Sequence, residues 1–398
     1  MEEILRDISI IMIASAVLSY VAAKLRQPII LGYIAAGILF GPAASRIFGE
    51  TDITRLFFIN DVEFISHAAK IGITLLLFLA GITLHPGHLL NYGKTTIVVT
   101  SLCCVSSAVI AWLVMLAFGY CCTEAIFASL AMMFSSTILV IKLLPTTTLH
   151  HERMGAICIS ILVAQDLIAV GVLVLMGAAG RSQALWLDFL QLFVAAAALL
   201  GASLVLERYL IRRVMHAMEK FRETIFVISL GWCLAIAAGG VLLGLSAEVG
   251  AFFAGIALAR QKVSLYISEK LKPIRDFFLV LFFFVLGAEL DIFIIPGIVL
   301  PAVVLAAIFV TVKPVLLYWF FKLGGLQKPA SKEAAVRLGQ LSEFSLLVAI
   351  IALESGLMTS SLSNMVQLAV ILTMIVSAWY VVETLPSPLA VKSQLRKD

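Results

Sequence analysis

The sequence contains few charged residues. Only 13% of its 398 residues are Asp, Glu, Lys or Arg, whereas a soluble domain contains roughly 25%. With 62% hydrophobic residues, the composition excludes a soluble enzyme and a disordered chain. Because one bilayer-spanning helix takes about 20 residues, the chain can form well over ten spans and has little length left for other domains.

The sequence also lacks the spacings of common metal and catalytic sites. None of the six cysteines belongs to a Cys-x-x-Cys pair or lies at ligand spacing from a histidine, which excludes the usual zinc sites and indicates free thiols. His-Glu-x-x-His and Gly-x-Ser-x-Gly are absent, and only one Asp lies in the middle of an apolar run, whereas intramembrane aspartyl proteolysis needs two. We therefore expect no enzyme, no cofactor and no structural or catalytic metal site.

Apolar runs predict about thirteen transmembrane helices. The N-terminus is acidic and the first run begins only after Asp7, so we expect a retained first span and no cleaved signal peptide. The runs lie near 8–23, 28–44, 65–84, 95–119, 124–144, 155–178, 184–206, 224–243, 246–259, 275–290, 298–321, 333–354 and 362–384. The sequence thus predicts an all-α, polytopic protein of the lipid bilayer.

Basic residues lie mainly on one side of this topology. Of the 28 Lys and Arg residues, twenty-one fall in one set of alternate connectors and four in the other. The positive-inside rule makes the larger set cytoplasmic, which places the N-terminus outside and the C-terminus in the cytoplasm. Topology then explains the basic runs 208–222 and 260–275 without a nucleic-acid partner. We expect a multi-pass protein of the cell (inner) membrane.

The two halves of the chain are related by a weak internal repeat. An offset of 206 residues takes Gly81 to Gly287 and Ser136 to Ser342. Because six spans and a connecting seventh precede the second set of six, matched spans would cross the membrane in opposite directions. Two inverted six-helix repeats are a signature of secondary transporters.

Three charged residues lie near the middle of predicted spans, where charge is costly and usually functional. Asp166 lies about 17 Å into the sixth span at 1.5 Å per residue, Lys313 lies in the eleventh span, and Glu343 lies in the twelfth. Two structural alternatives remain open. Asp166 and Lys313 could be a buried structural pair, or Glu343 and Lys313 could form an ion pair that fixes the packing.

Polar residues of the fifth and sixth spans complete the candidate site. Ser135, Ser136 and Thr137 lie at mid-depth, and Gln165 precedes Asp166. Two broken helices that cross beside Asp166 would supply carbonyl and hydroxyl oxygens, which together with one carboxylate suit a hard monovalent cation. The alternative is that the Ser/Ser/Thr run only allows close packing of helices.

Taken together, these segments resemble the monovalent cation:proton antiporter-2 family, which includes the Kef-type potassium efflux systems. The matching segments cover nearly the whole chain in family order: Gln27-Pro-Ile-Ile-Leu-Gly-Tyr33, Gly41-Pro42, Ser135-Ser-Thr137, Ala164-Gln-Asp166, Gly250-Ala-Phe-Phe-Ala-Gly255, Lys313 and Gly339-Gln-Leu-Ser-Glu343. The resemblance implies exchange of K⁺ or Na⁺ for H⁺ by alternating access around Asp166. It also implies that Lys313 is the family's lysine and that Gln165 replaces a first aspartate, a pattern associated with electroneutral exchange.

The resemblance further implies a homodimer with a fixed panel and a moving core inside a transmembrane antiporter domain, 1–390. The implied parts are a dimerisation panel (1–91 and 224–292), an ion-translocating core with broken crossing helices (94–178 and 297–385), a linker helix with a cytoplasmic connector (184–222) and a short cytoplasmic tail (391–398). Kef-type members carry a soluble nucleotide-binding domain after the membrane part. Unless the chain is part of a longer protein, we expect no gating by nucleotide or glutathione, and a separate regulatory subunit is an alternative.

Two other transporter classes share the inverted-repeat architecture. A sodium-coupled organic-anion carrier would need a wider cavity and a second cation site. A cation channel would carry ions without coupling them to protons.

Overall fold

The computed structural model describes residues 2–42, 44, 58–59, 63–83, 93–144, 153–179, 185–218, 221–259, 261, 263–290 and 295–387. The helices of the first half are α1 (Glu2–Lys24), α2 (Ile29–Phe40), α3 (Glu63–Thr83), α4 (Gly93–Ala117), α5 (Cys122–Ala131), α6 (Thr137–Leu143), α7 (Arg153–Ala179) and α8 (Leu185–Leu206). A π-helix (Glu207–Ile211) joins α8 to α9 (Arg212–Ala217). The remaining helices are α10 (Arg222–Leu242), α11 (Ala247–Leu258), α12 (Ser264–Glu289), α13 (Ile295–Leu323), α14 (Lys328–Arg337), α15 (Glu343–Glu354) and α16 (Ser360–Thr384). The predicted tail, 391–398, lies outside the described residues.

Eight of the described helices are long and apolar enough to cross a membrane, and α2, α5 and α11 are shorter apolar helices. Helix α4 illustrates the distribution of polarity, because it exposes Ile97, Val105 and Leu113 and buries Thr100 and Ser107. Apolar side chains outside and polar ones inside are what a bilayer requires. Each predicted run overlaps a described helix or, at 124–144 and 333–354, a pair of short helices. The all-α membrane fold is confirmed, and the number of crossings stays a prediction.

The chain divides into two compact units. Unit 1 consists of residues 1–16, 33–85 and 173–290, and unit 2 consists of residues 17–32, 86–172 and 291–398. These boundaries differ from those of the predicted panel and core, because 17–32 belongs to unit 2 and 173–222 belongs to unit 1. The panel and the core, as parts that move, stay predictions.

Glycines mark the helix crossings of unit 1. Helix α2 meets α12 at Gly37 and Gly287, and α3 meets α11 at Gly81 and Gly255. A Cβ on any of the four would overlap backbone atoms of the opposite helix, so the close approach requires glycine, as is common between membrane helices. Exchanging the two repeats converts one crossing into the other, since α2 corresponds to α11 and α3 to α12. The repeat found in the sequence is therefore also a repeat of packing.

Unit 2 contains both pairs of short helices, α5–α6 and α14–α15. Helix α16 contacts α5, α6, α13, α14 and α15. A buried apolar cluster joins α4, α6, α7, α13 and α14 through residues that include Val99, Val140, Ile161, Phe321 and Leu338. This packing fixes the polar segments between the short helices in the interior of the unit.

Candidate functional site

The two pairs of short helices in unit 2 are interrupted in the same way. The first gap, 132–136, separates α5 from α6, and the second gap, 338–342, separates α14 from α15. Each gap ends in a serine whose Oγ accepts a main-chain N–H of the following helix at 3.1 Å, Ser136 in the first and Ser342 in the second. Such a cap satisfies one of the free N–H groups at a helix start. The two serines are the residues that the offset of 206 relates.

Ser135 connects the two gaps. Its Oγ donates to the carbonyl oxygen of Leu338 at 2.8 Å, and its N–H donates to Oε1 of Gln165 at 3.0 Å. The Gln165 amide also donates from Nε2 to Sγ of Cys103 at 3.7 Å. Gln165, on α7, therefore contacts the first gap with one end of its amide and α4 with the other.

Lys313 bridges the two gaps from α13. Its Nζ donates to the carbonyl oxygens of Phe134 and Gln340, both at 3.2 Å. These carbonyls follow the C-terminal ends of α5 and α14, where carbonyl groups lack intrahelical donors and the helix dipole is negative. The two carbonyls are therefore the described acceptors of the Lys313 ammonium. The two ion pairs considered as structural alternatives stay hypotheses.

Asp166 lies on α7 beside the first residues of α6 and α15. The Thr137 hydroxyl neighbours its carboxylate, and the Glu343 carboxyl is close enough for the two charges to interact. The Thr137 hydroxyl has no partner at hydrogen-bonding geometry, and no other described residue donates a hydrogen bond to Asp166. The structure therefore groups Asp166 with Thr137 and Glu343, and groups Ser135, Gln165 and Lys313 at the gaps.

This arrangement suits a small cation or a proton. Asp166 is only 9% exposed, and an ionised carboxylate in such a position is costly unless it is paired. A second acid, Glu343, adds to the negative charge. A bound proton removes the charge of the carboxylate, and a bound monovalent cation balances it. The hydroxyl of Thr137 supplies a further oxygen of the kind that a hard cation prefers.

Two polar residues of α16, Thr373 and Ser377, contact the second gap and were missed by the sequence analysis. The N–H of Leu341 donates to Thr373 Oγ1 at 3.2 Å, and Ser377 Oγ donates to Gln340 Oε1 at 3.2 Å. Thr373 and Ser377 lie four residues apart and so share one face of α16. That spacing, in a helix that is otherwise mostly apolar, is the signal by which the sequence could have revealed them.

Two curated proteins are similar in sequence to this chain. The chain is 28% identical over 369 residues to the glutathione-regulated potassium-efflux system protein KefC of Klebsiella pneumoniae subsp. pneumoniae, covering 91% of this chain and 57% of that protein. It is 29% identical over 343 residues to the protein of the same name from Klebsiella aerogenes, covering 84% and 53%. The chain thus spans about half the length of these curated relatives.

A solved structure has the same fold. The sodium proton antiporter MjNhaP1 from Methanocaldococcus jannaschii at pH 8 is similar over 95% of this chain and 96% of that chain, with a TM-score of 0.72 at 14% identity. At this level of identity the similarity concerns the fold. The family pattern described as "Sodium/hydrogen exchanger, transmembrane" matches residues 10–385. The chain therefore belongs to the sodium/hydrogen exchanger family.

Proposed function

We propose that the protein exchanges a monovalent cation, K⁺ or Na⁺, for H⁺ by alternating access around Asp166. The observation that carries this proposal is a buried carboxylate with the Thr137 hydroxyl and the Glu343 carboxyl beside it, next to two helix starts related by the internal repeat. Membership of the exchanger family supports it. So do the names of the relatives, which describe potassium efflux and sodium–proton antiport.

Competition for one carboxylate couples the two ions. Asp166 binds either a proton or a cation that has lost part of its water, and occupancy by one displaces the other. A core that exposes this site to one side of the membrane at a time then exchanges the two ions. Since each ion carries one positive charge, the exchange is electroneutral.

The rest of the organisation follows the resemblance. We place the protein in the cell (inner) membrane as a homodimer, with its N-terminus outside and its C-terminus in the cytoplasm. It transports ions and catalyses no chemical reaction. The KefC relatives are named for glutathione regulation, and a separate regulatory subunit is a candidate partner of this chain.

Proton–cation exchange in vesicles tests the proposal. Purified protein is reconstituted with a pH-sensitive dye inside, and K⁺, Na⁺ and Li⁺ are added across a range of pH. Asp166→Asn should abolish exchange and leave the protein folded. Asp276→Asn is the matched control, because Asp276 is exposed on α12 and paired with Arg275, and it should exchange at the wild-type rate.

Three results would contradict parts of this proposal. Exchange retained by Asp166→Asn would remove Asp166 from the mechanism. A membrane current driven by a cation gradient would exclude electroneutral exchange. Cation flux without a pH change would indicate a channel.

A further inference from the structure

Arg337 is a buried guanidinium that joins three segments of unit 2. It is the last residue of α14, and its side chain is only 1% exposed. Nη1 donates to the carbonyl oxygen of Leu143 at 2.8 Å, and Nη2 donates to that of Pro386 at 2.5 Å. Nε and Nη2 also donate to Glu333 Oε1 at 3.0 and 2.7 Å.

The ion pair with Glu333 does not account for this burial. Glu333 lies one helical turn before Arg337, and such pairs stabilise a helix without leaving the surface. Burying a guanidinium is costly unless its donors are satisfied. The two donors that point away from α14 are satisfied by main-chain carbonyls of other segments, so the side chain links those segments.

The contact at Leu143 bears on a helix that is too short to stand alone. Helix α6 has seven residues, whereas isolated helices of fewer than about 12 residues are unstable in water. Its last carbonyls have no donors within the helix, and a cation is favourable at a C-terminus. Ser136 fixes the start of α6, and Arg337 fixes its end.

The guanidinium is linked to the first gap through α6 and to the second gap through the chain itself. Thr137, the neighbour of Asp166, lies six residues before Leu143, or about 9 Å along the helix. Arg337 itself directly precedes the second gap, whose Gln340 carbonyl accepts from Lys313. Loosening the end of α6 therefore displaces Thr137 relative to Asp166.

We propose that Arg337 is a positioning residue of the ion site, which sets the place of Thr137 beside Asp166 by holding the end of α6. Its effect on transport rests on the proposed exchange, whereas its effect on α6 does not. The first variant is Arg337→Lys, which keeps the charge and loses the planar fork of donors. Glu333→Gln is the matched variant, because it alters only the acceptor on α14. Arg275→Lys, in an exposed pair on α12, is the remote control.

Two measurements are made on each variant. Hydrogen exchange of main-chain amides compares α6 with α15, and vesicle assays give the apparent KM for the cation and the maximal rate. In Arg337→Lys we expect two quantities to rise about five- to ten-fold, as for the loss of one hydrogen bond. These are the hydrogen-exchange rate of the α6 amides and the apparent KM for the cation. The maximal rate and the α15 amides should stay within about two-fold of wild type. Glu333→Gln and Arg275→Lys should match wild type in all four quantities.

Unchanged α6 amides in Arg337→Lys would overturn the proposal. An unchanged KM with loosened α6 would also overturn it, since the contact of Arg337 with α6 would then be structural only. A Glu333→Gln variant that reproduces the full effect would overturn it as well. If Arg337→Lys does not fold, hydrogen exchange of the wild-type protein tests the proposal. The α6 amides should then be as well protected from exchange as those of α15, and unprotected α6 amides would refute the contact with Arg337. Wild-type vesicles that exchange no ions would refute the proposed function and leave the amide result standing.

Discussion

A single methyl group at Gly339 should disrupt the ion site. A Cβ at this position would lie 2.6 Å from Cγ of Pro314, whereas ordinary contact begins at 3.4 Å. Cγ is closed into the pyrrolidine ring and cannot rotate away like the end of an open side chain, so Gly339→Ala must separate the second gap from α13 by up to about 0.8 Å, the difference between these distances. Lys313 directly precedes Pro314, and its Nζ lies 3.2 Å from the Gln340 carbonyl oxygen. The same displacement would stretch that hydrogen bond to about 4.0 Å, beyond hydrogen-bonding range.

These distances set the size of the effect. Overpacking of a well-packed interior costs about 1–3 kcal/mol, and a lost hydrogen bond costs about 1 kcal/mol. We therefore expect Gly339→Ala to lower the free energy of unfolding by roughly 2–4 kcal/mol. Thermal unfolding in detergent measures this change, and the vesicle assay should show weaker exchange.

Two further variants make this prediction specific. Gly231→Ala on α10 is the control, because a Cβ there meets no atom within 4 Å, and alanine should stabilise the helix by about 0.5–1 kcal/mol. Pro314→Ala removes the ring atoms that Gly339→Ala would strike, so in that background Gly339→Ala should cost less than half as much. Equal stabilities of the Gly339→Ala and Gly231→Ala proteins would refute the close packing described here.

Two more predictions concern the repeat. Ser136→Ala and Ser342→Ala should each lower stability by about 1 kcal/mol through loss of an N-cap, measured by the same unfolding assay, and a loss at only one of them would contradict the equivalence of the gaps. Gly255→Ala would place a methyl group on the Phe78 carbonyl oxygen and should lower the free energy of unfolding by about 1–3 kcal/mol. Gly171→Ala has open space around it and should not lower this free energy. Similar unfolding of the two proteins would count against the glycine crossing.

The sequence predicted the features that depend on residue type at a fixed position. Because the sequence has few charged residues, Asp166 was easy to single out. A lone acid within a membrane span is costly and usually functional. The offset of 206 residues found Ser136 and Ser342 because an N-cap needs a small side chain with an acceptor oxygen at one position. It also found Gly81 and Gly287 because only glycine allows the backbones to approach so closely.

The sequence could not predict contacts made to the main chain. The sequence left pairing of Lys313 with a carboxylate open as an alternative, whereas its described acceptors are the carbonyls of Phe134 and Gln340. Arg337 binds the carbonyl of Leu143, 194 residues away in sequence. Every residue carries such a carbonyl, so residue type contains no signal for these partners. They become visible only when the helices are interrupted and their free carbonyls are placed in space.

The different surroundings of the two buried charges bear on the proposed stoichiometry. Lys313 is held by one carbonyl from each gap, and Ser135 ties the gaps together, so the ammonium can keep both hydrogen bonds while the gaps move as one. Asp166 is not held by main-chain carbonyls in this way, and in the proposed exchange its charge is balanced by whichever ion it carries. A cycle in which Lys313 also released a proton would turn the charged donor of both hydrogen bonds into a neutral amine, and both bonds would lose their charge assistance at every turnover. Exchange of one cation for one proton needs no such step, because the moving part then has the same net charge in both directions.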